Sequence, residues 1–210
     1  VIKKNRTTFA SIIILLFGCV LFYTGTDGLQ AFTAETARVN QLLEDKPAFP
    51  NVTFEDSEGR TYPISEFEDK YVFITFIYTA CTTVCPQLEM NMAQVYEQIP
   101  QEYIGKDIVF LSISFDPTRD DPTTLSKYRT FFGSDGETWR MARISNATEL
   151  QTLLDTFGVI VIPDGKGNFA HNSAFYLVDP NGLLIEVMDY QEIDQAATKV
   201  TSILENHKGE

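Results

Sequence analysis

Apolar residues fall into three patterns along this 210-residue chain, and each pattern predicts a different element. The first is an unbroken run, "FASIIILLFGCVLFY", from Phe9 to Tyr23. Fifteen helical residues rise about 22 Å and the eighteen from Thr7 to Thr24 about 27 Å, against roughly 30 Å of bilayer hydrocarbon. The second pattern is the short β-branched and aromatic block. "YVFITFIY" (71–78) and "IVFLSISF" (108–115) read as buried central strands, and "TWRMARI" as a shorter one. "VTFEDSEGRTY" predicts two short strands joined by a turn at Asp56–Gly59, and "AFYLVDPNGLLIEVM" a hairpin turning at the Asp-Pro-Asn-Gly tetrad.

The third pattern is helical spacing. Leu88, Met92, Val95, Tyr96 and Ile99 share one face of a helix that Pro86 opens at its first position. Asp121 is placed to cap a second helix, with Pro122 in its first turn and Leu125, Tyr128 and Phe132 inward. Asn146 and Glu149 resemble a capping box ahead of Leu150, Leu153, Leu154 and Phe157, and Gly158 ends that helix. Ile193, Ala196, Ala197, Val200, Ile203 and Leu204 form the apolar stripe of a last helix. The order is strand pair, strand, helix, strand, helix, strand, helix, hairpin, helix. It predicts an α/β sandwich with a mixed central sheet.

The long apolar run changes the view of where this domain lives. Lys3, Lys4 and Arg6 precede it without any acid. An uncleaved transmembrane anchor fits this pattern; a cleaved signal peptide and a lipoprotein signal using Cys19 of "LFGC" are the alternatives. Phe17 is bulky for a site two residues before a lipidated cysteine, and the apolar residues continue past Cys19, which favours the anchor. All three readings send the rest of the chain out of the cytoplasm, because the basic flank stays inside. The expected layout is an anchor (1–24), a polar tether (25–47) with a short helix near Glu35–Leu43, and a globular domain (48–210).

Charge then narrows the partners. The whole chain carries −13, and without the three basic residues of the flank the remainder carries −16. Such a surface does not hold phosphate backbones, so nucleic acid is excluded as a partner.

The candidate chemistry lies in "TFIYTACTTVCPQLEMNM" (75–92), with Cys81 and Cys85 four positions apart, and in His171 of "FAHNSAFYLVDPNG". Outside the apolar run there are no other cysteines, and a domain of this size needs no staple. Cys85, directly before Pro86, is expected at or near a helix N-cap, where the dipole favours a thiolate. Lowering a thiol pKa from about 8.5 to about 6.5 takes roughly 2.7 kcal/mol, and a helix terminus typically supplies about 0.3–1. A bound soft metal would complete the deprotonation. The spacing C-x-x-x-C is not the two-residue spacing of the thioredoxin redox pair, although it still lets two sulfurs meet each other or one ion. Two thiolates and one imidazole suit copper, above all copper(I), and ligand counting leaves zinc open, while a lone histidine before a strand reads on its own as a surface or hydrogen-bonding residue more often than as a ligand. His207 lies near the C-terminus, Met90 and Met92 read as packing residues, and the loop "GVIVIPDGKGNFAH" before His171 is expected to be long and mobile. Asp116 and Asp120 read on their own as turn and capping acids.

Taken in order, "FIYTACTTVCPQL", "SISFDPTRDDP" and "HNSAFYLVDPNG" resemble the Sco/SenC family of membrane-anchored, thioredoxin-fold copper proteins, loosely over residues 47–205. The resemblance implies a thioredoxin-like α/β fold with Cys81, Cys85 and His171 as ligands of one copper ion, Cu(I) or Cu(II). It implies a supporting role near the site for Asp116 and Asp120. The expected function is an extracytoplasmic copper chaperone for the dinuclear copper centre of cytochrome c oxidase. Its partners would be the oxidase subunit bearing that centre and another copper donor or a thiol reductase. The membrane would be bacterial, with the domain facing periplasm or exterior, or the mitochondrial inner membrane, facing the intermembrane space. The alternative is a thiol–disulfide oxidoreductase that keeps the acceptor's cysteines reduced through Cys81 and Cys85 without metal. A peroxidase and an inert domain with a structural disulfide are weaker alternatives; "FIYTAC" lacks a nearby proline to shape a peroxide pocket.

Overall fold

A computed structural model describes residues 2–25 and 33–208, with side chains for 8–25 and 33–207. The chain divides into two compact units, Val1–Asp45 and Lys46–Glu210. The first contains helix α1 (Ile2–Gly25), whose stretch Thr8–Gly25 is long and apolar enough to cross a membrane, and helix α2 (Ala34–Asp45). Thr33 opens α2: its hydroxyl accepts the Thr36 amide at 3.0 Å. The short helix expected in the tether is therefore present, and residues 26–32 of that tether lie outside the described residues.

The second unit is built on a seven-stranded mixed sheet in the order β2-β1-β5-β4-β3-β8-β9. Its strands are β1 (Thr53–Asp56), β2 (Thr61–Pro63), β3 (Tyr71–Ile77), β4 (Ile108–Ser114), β5 (Trp139–Arg143), β8 (Phe175–Val178) and β9 (Leu184–Met188). Parallel pairing holds β3 to β4 and β4 to β5, in register from Tyr71↔Ile108 through Ile77↔Ser114 in the first pair. The flanking pairs are antiparallel. The two apolar runs of the sequence are the central strands, buried along their whole length because both sheet faces are covered.

Alternation along β3 shows what covers each face. Phe73 stacks on Phe110 and Phe175, and Phe110 in turn meets Tyr96 of helix α3 (Val84–Gln98). Phe76 points the other way, to Tyr176 and to Phe157 at the end of helix α5 (Ala147–Thr156). Helix α6 (Ile193–Lys208) lies beside α3, joined at its start by Gln98 donating to Asp194. Helix α4 (Pro122–Arg129) begins as expected, with the Asp121 carboxylate accepting the Thr124 amide at 2.7 Å.

Two local expectations are corrected. The Asn146 side chain caps α5 by accepting the Thr148 and Glu149 amides, but the box does not close. Glu149 instead accepts the Thr53 amide at 2.7 Å, tying α5 to the first strand. The segment before His171 is not an irregular loop either: β6 (Val161–Pro163) and β7 (Phe169–His171) form a separate two-stranded hairpin, with Val161 opposite His171. Its turn was hidden by its length. Asp164 makes it, accepting the Lys166 and Asn168 amides, and glycines 165 and 167 take the left-handed conformations it requires. The Asp-Pro-Asn-Gly turn between β8 and β9 forms as read, with Gly182 at φ +80°.

Candidate metal centre

The site lies beyond the carboxyl ends of β3 and β4, where parallel sheets present their loops. β3 ends at Ile77; Tyr78 and a turn closed by the Cys81 amide donating to the Tyr78 carbonyl (3.2 Å) deliver the first cysteine. α3 then begins at Val84, with Thr83 in the capping position but making no side-chain cap bond. Cys85 is thus the second residue of the helix, two positions deeper than the N-cap that its place before Pro86 suggests. The cap is supplied from outside: the Cys85 amide donates to the Cys81 sulfur at 3.3 Å. Cys81 sulfur thereby takes the role usually filled by a Ser or Asp oxygen.

This exchange of places separates the two thiols electrostatically. Burial pushes the Cys81 thiol up, but the Cys85 and Thr83 amides and the neighbouring side chains outweigh it, so its pKa is lowered. Cys85 is fully buried, and burial pushes its thiol strongly up, with the charges of Cys81 and Glu89 adding to the shift. The helix end therefore favours the thiolate of Cys81 and not, as its place before Pro86 suggests, that of Cys85. Both cysteines are free thiols.

His171, at the end of β7, reaches this pair: its Nε2 lies 3.5 Å from the Cys85 sulfur. Its Nδ1 is 3.0 Å from the Asn172 carbonyl, a contact that places the proton on Nδ1 and leaves the Nε2 lone pair facing the sulfur. Burial holds its pKa below the usual histidine value, which keeps the ring neutral and a competent ligand. Asn172 is itself clamped, accepting the Ile160 amide at 2.7 Å and donating to the Gly158 carbonyl at 3.1 Å.

Cys81, Cys85 and His171 therefore share one corner of the fold, though ninety residues separate the imidazole from the first sulfur in sequence. As they stand, no three His, Cys, Asp or Glu side chains among the described residues converge closely enough to enclose an ion. The sulfur of Cys81 is turned to the helix amide.

The two acids are held by partners of their own. Asp120 is fully buried and accepts from the Thr79 amide (3.0 Å) and from the Thr79 and Ser114 hydroxyls. It thus pins the segment that leads into Cys81 to the end of β4. Asp116 pairs with Arg119 and accepts the Thr118 hydroxyl. Of the remaining sulfur and nitrogen donors, Met92 is buried and accepts from the Ser112 hydroxyl, as a packing residue should. Met90 does not pack and is exposed on α3. His207 stands edge-on against Tyr71.

An aromatic wall around the imidazole was not anticipated. Phe115 lies 5.0 Å from the His171 ring, Tyr78 6.3 Å, and Phe169 meets both Tyr78 and Phe115 edge-on. The Phe169 amide also donates to the Tyr78 hydroxyl at 3.3 Å. The available signal was position, since each of the three aromatics falls at the end of a predicted strand or just before the histidine.

A family model described as SCO1/SenC matches residues 42–205. The chain belongs to the SCO1/SenC family. Among its curated relatives is the SCO1 protein homolog of Bacillus subtilis, 28% identical over 144 residues that cover 68% of this chain and 72% of the relative. Solved structures of Sco proteins share the fold. Arabidopsis thaliana ScoI with copper bound superposes with a TM-score of 0.66 at 18% identity, covering 76% of this chain and 99% of that one. BsSco, described with a disulfide switch and as a member of the Sco family of cytochrome c oxidase assembly proteins, gives 0.66 at 24% identity over 76% and 94%. The thioredoxin-like fold expected of a SCO1/SenC protein is thus present here.

Proposed function

We propose that this protein is a membrane-anchored copper chaperone of cytochrome c oxidase assembly, carrying one copper ion on Cys81, Cys85 and His171 for the oxidase's dinuclear copper centre. The observation that carries the reading is the approach of the neutral His171 Nε2 to the Cys85 sulfur across two distant segments. Soft thiolates with one imidazole are a donor set selective for copper(I), which agrees with the copper-bound relative. Loading requires the Cys81 sulfur to turn from the Cys85 amide toward the imidazole and both thiols to release their protons to solvent. The lowered Cys81 thiol ionises first and captures the ion, and the ion's charge then offsets the cost of ionising buried Cys85. In this layout residues 1–24 are the anchor, 25–47 the tether and 48–210 the copper domain. The basic flank supports a domain on the extracytoplasmic face, whether periplasm, exterior or intermembrane space. Asp116 and Asp120 support the site without ligating, since their oxygens are already engaged. Copper analysis and the ultraviolet–visible spectrum of chain produced with copper, before and after reduction, test this. One copper per chain with sulfur-to-copper absorption is expected, and a metal-free or zinc-only product rejects it.

The asymmetry of the two thiols favours a second reading, transfer of electrons. The Cys81 thiolate would attack a disulfide in the acceptor, forming a mixed disulfide and releasing one acceptor thiolate. The Cys85 sulfur, losing its proton, would then displace the second, leaving a Cys81–Cys85 disulfide and a reduced acceptor. Exchange that persists in His171→Ala, with no requirement for copper, would establish it over the first.

A further inference from the structure

Arg119, between the two acids of "DPTRD", makes contacts that neither the chaperone nor the reductase reading uses. Its Nε pairs with Asp116, which is nearly fully buried. Its guanidinium carbon lies 5.8 Å from the ring centre of Tyr78 and 5.6 Å from that of Phe169, within cation–π range of both. The same guanidinium lies against the hairpin turn, where a Cβ built on Gly167 would come within 3.5 Å of Nη1. One side chain therefore joins the end of β3, the loop after β4 and the hairpin of β6 and β7. Phe169 and His171 lie two residues apart on β7, hence on the same face of the strand. Whatever fixes the Phe169 ring therefore holds the short strand that carries the imidazole.

We propose that Arg119 is the positioning residue of the metal centre: it latches the hairpin to the body and so holds His171 against Cys85. The inference rests on the copper reading above. Arginine suits the task because its spread-out guanidinium comes within cation–π range of two rings while its Nε holds Asp116, three contacts that the single point charge of a lysine ammonium does not combine. Without the latch the hairpin keeps its own ladder, its Asp164 turn and the edge-on contacts of Phe169 with Tyr78 and Phe115, but loses the charged group that ties it to the loop after β4. The imidazole is then held less firmly against Cys85 while the two sulfurs stay.

The test is copper(I) affinity of the full chain in detergent, measured by competition with a chromophoric chelator. The set is wild type, Arg119→Met, His171→Ala and the double variant. Loss of an outer-shell support typically costs about 10–100-fold in metal affinity, and that is expected for Arg119→Met. The double variant should be no weaker than His171→Ala alone, because Arg119 acts only through the imidazole. A general loss of fold would not give that non-additivity. Nitrogen-15 histidine spectra of the reduced, metal-free chain give an independent signature. The His171 Nδ1–H tautomer should give way to the mixture of a free ring in Arg119→Met, with His207 unchanged as the internal control. Should Arg119→Met not fold, Phe169→Leu weakens the same latch from the hairpin side and should give the same loss and the same non-additivity. Wild-type affinity in Arg119→Met or Phe169→Leu, or losses that add in the double variant, overturns the proposal. A weakened His171→Ala beside an unchanged Arg119→Met removes this inference alone; an unchanged His171→Ala removes the copper reading and the inference together.

Discussion

Glu89 stands one helical turn after Cys85, fully buried, and neither carboxylate oxygen has a hydrogen-bond partner. The hydroxyl that faces it, Ser112, is already committed, donating to the Met92 sulfur and accepting from the Trp139 indole. Burial therefore dominates and pushes the Glu89 carboxyl up to about 8, with only a small opposing pull from Ser112. In the unfolded chain the group titrates near 4.5. A folded value above the unfolded one means that its contribution is fully present below about pH 4.5 and is lost as pH rises toward about 8. Between pH 4.5 and 7 the unfolded state gains the full benefit of ionising while the folded state stays protonated. At about 1.36 kcal/mol per pH unit this costs the wild type about 3 kcal/mol of stability over that interval. Glu89→Gln is neutral throughout and carries no such slope. Urea unfolding of the reduced chain in detergent, followed by the fluorescence of the single, buried Trp139, measures both proteins across this range. The variant is expected to gain about 3 kcal/mol on the wild type between pH 4.5 and 7, while the slopes of all other groups cancel in the difference. A pH-independent difference would refute the reasoning, because it would mean that Glu89 is ionised or solvated in the folded chain.

Two other outcomes follow from the site. Iodoacetamide should label Cys81 well before Cys85 in the reduced chain, read by peptide mass spectrometry, since one thiol pKa is lowered and the other raised by complete burial. Equal labelling would remove the proposed order of metal capture. Asp120→Asn should destabilise the fold by about 2 kcal/mol, the scale of a lost charge-assisted hydrogen bond, and should also loosen the Thr79 segment. Hydrogen exchange at the Thr79 amide reads that loosening; unchanged protection would mean that Asp120 does not hold the cysteine turn.

Much of this molecule could be read from the chain because its signals are local. The uniform apolar runs of 71–78 and 108–115 admit only doubly covered strands, and the Asp121 and Asn146 caps follow from short-range hydrogen bonding. What could not be read depends on contacts between distant segments. The capping-box pattern at Asn146 and Glu149 is local, but Glu149 finds a better donor in Thr53, nearly a hundred residues away. The hairpin before His171 has strands of only three residues each, too short for periodicity to mark them. The meeting of the Cys81–Cys85 segment with His171 follows motif order, and its local geometry does not. Cys81, Cys85 and His171 could be named as candidates from motif order, whereas the capping sulfur is Cys81 because the helix starts two residues earlier than proline placement suggests. The aromatic wall and the Arg119 contacts arise where strand ends converge, and strand order is not encoded at any single position.

The central claim is that His171 completes a two-sulfur copper site. Copper-edge X-ray absorption of the copper(I)-loaded chain tests it most directly, because imidazole gives outer-shell scattering that thiolates do not. Two sulfurs and one imidazole nitrogen are predicted in wild type, with the imidazole signature absent and the sulfurs retained in His171→Ala. A wild-type spectrum of sulfur alone, or one identical to that of His171→Ala, would contradict the account.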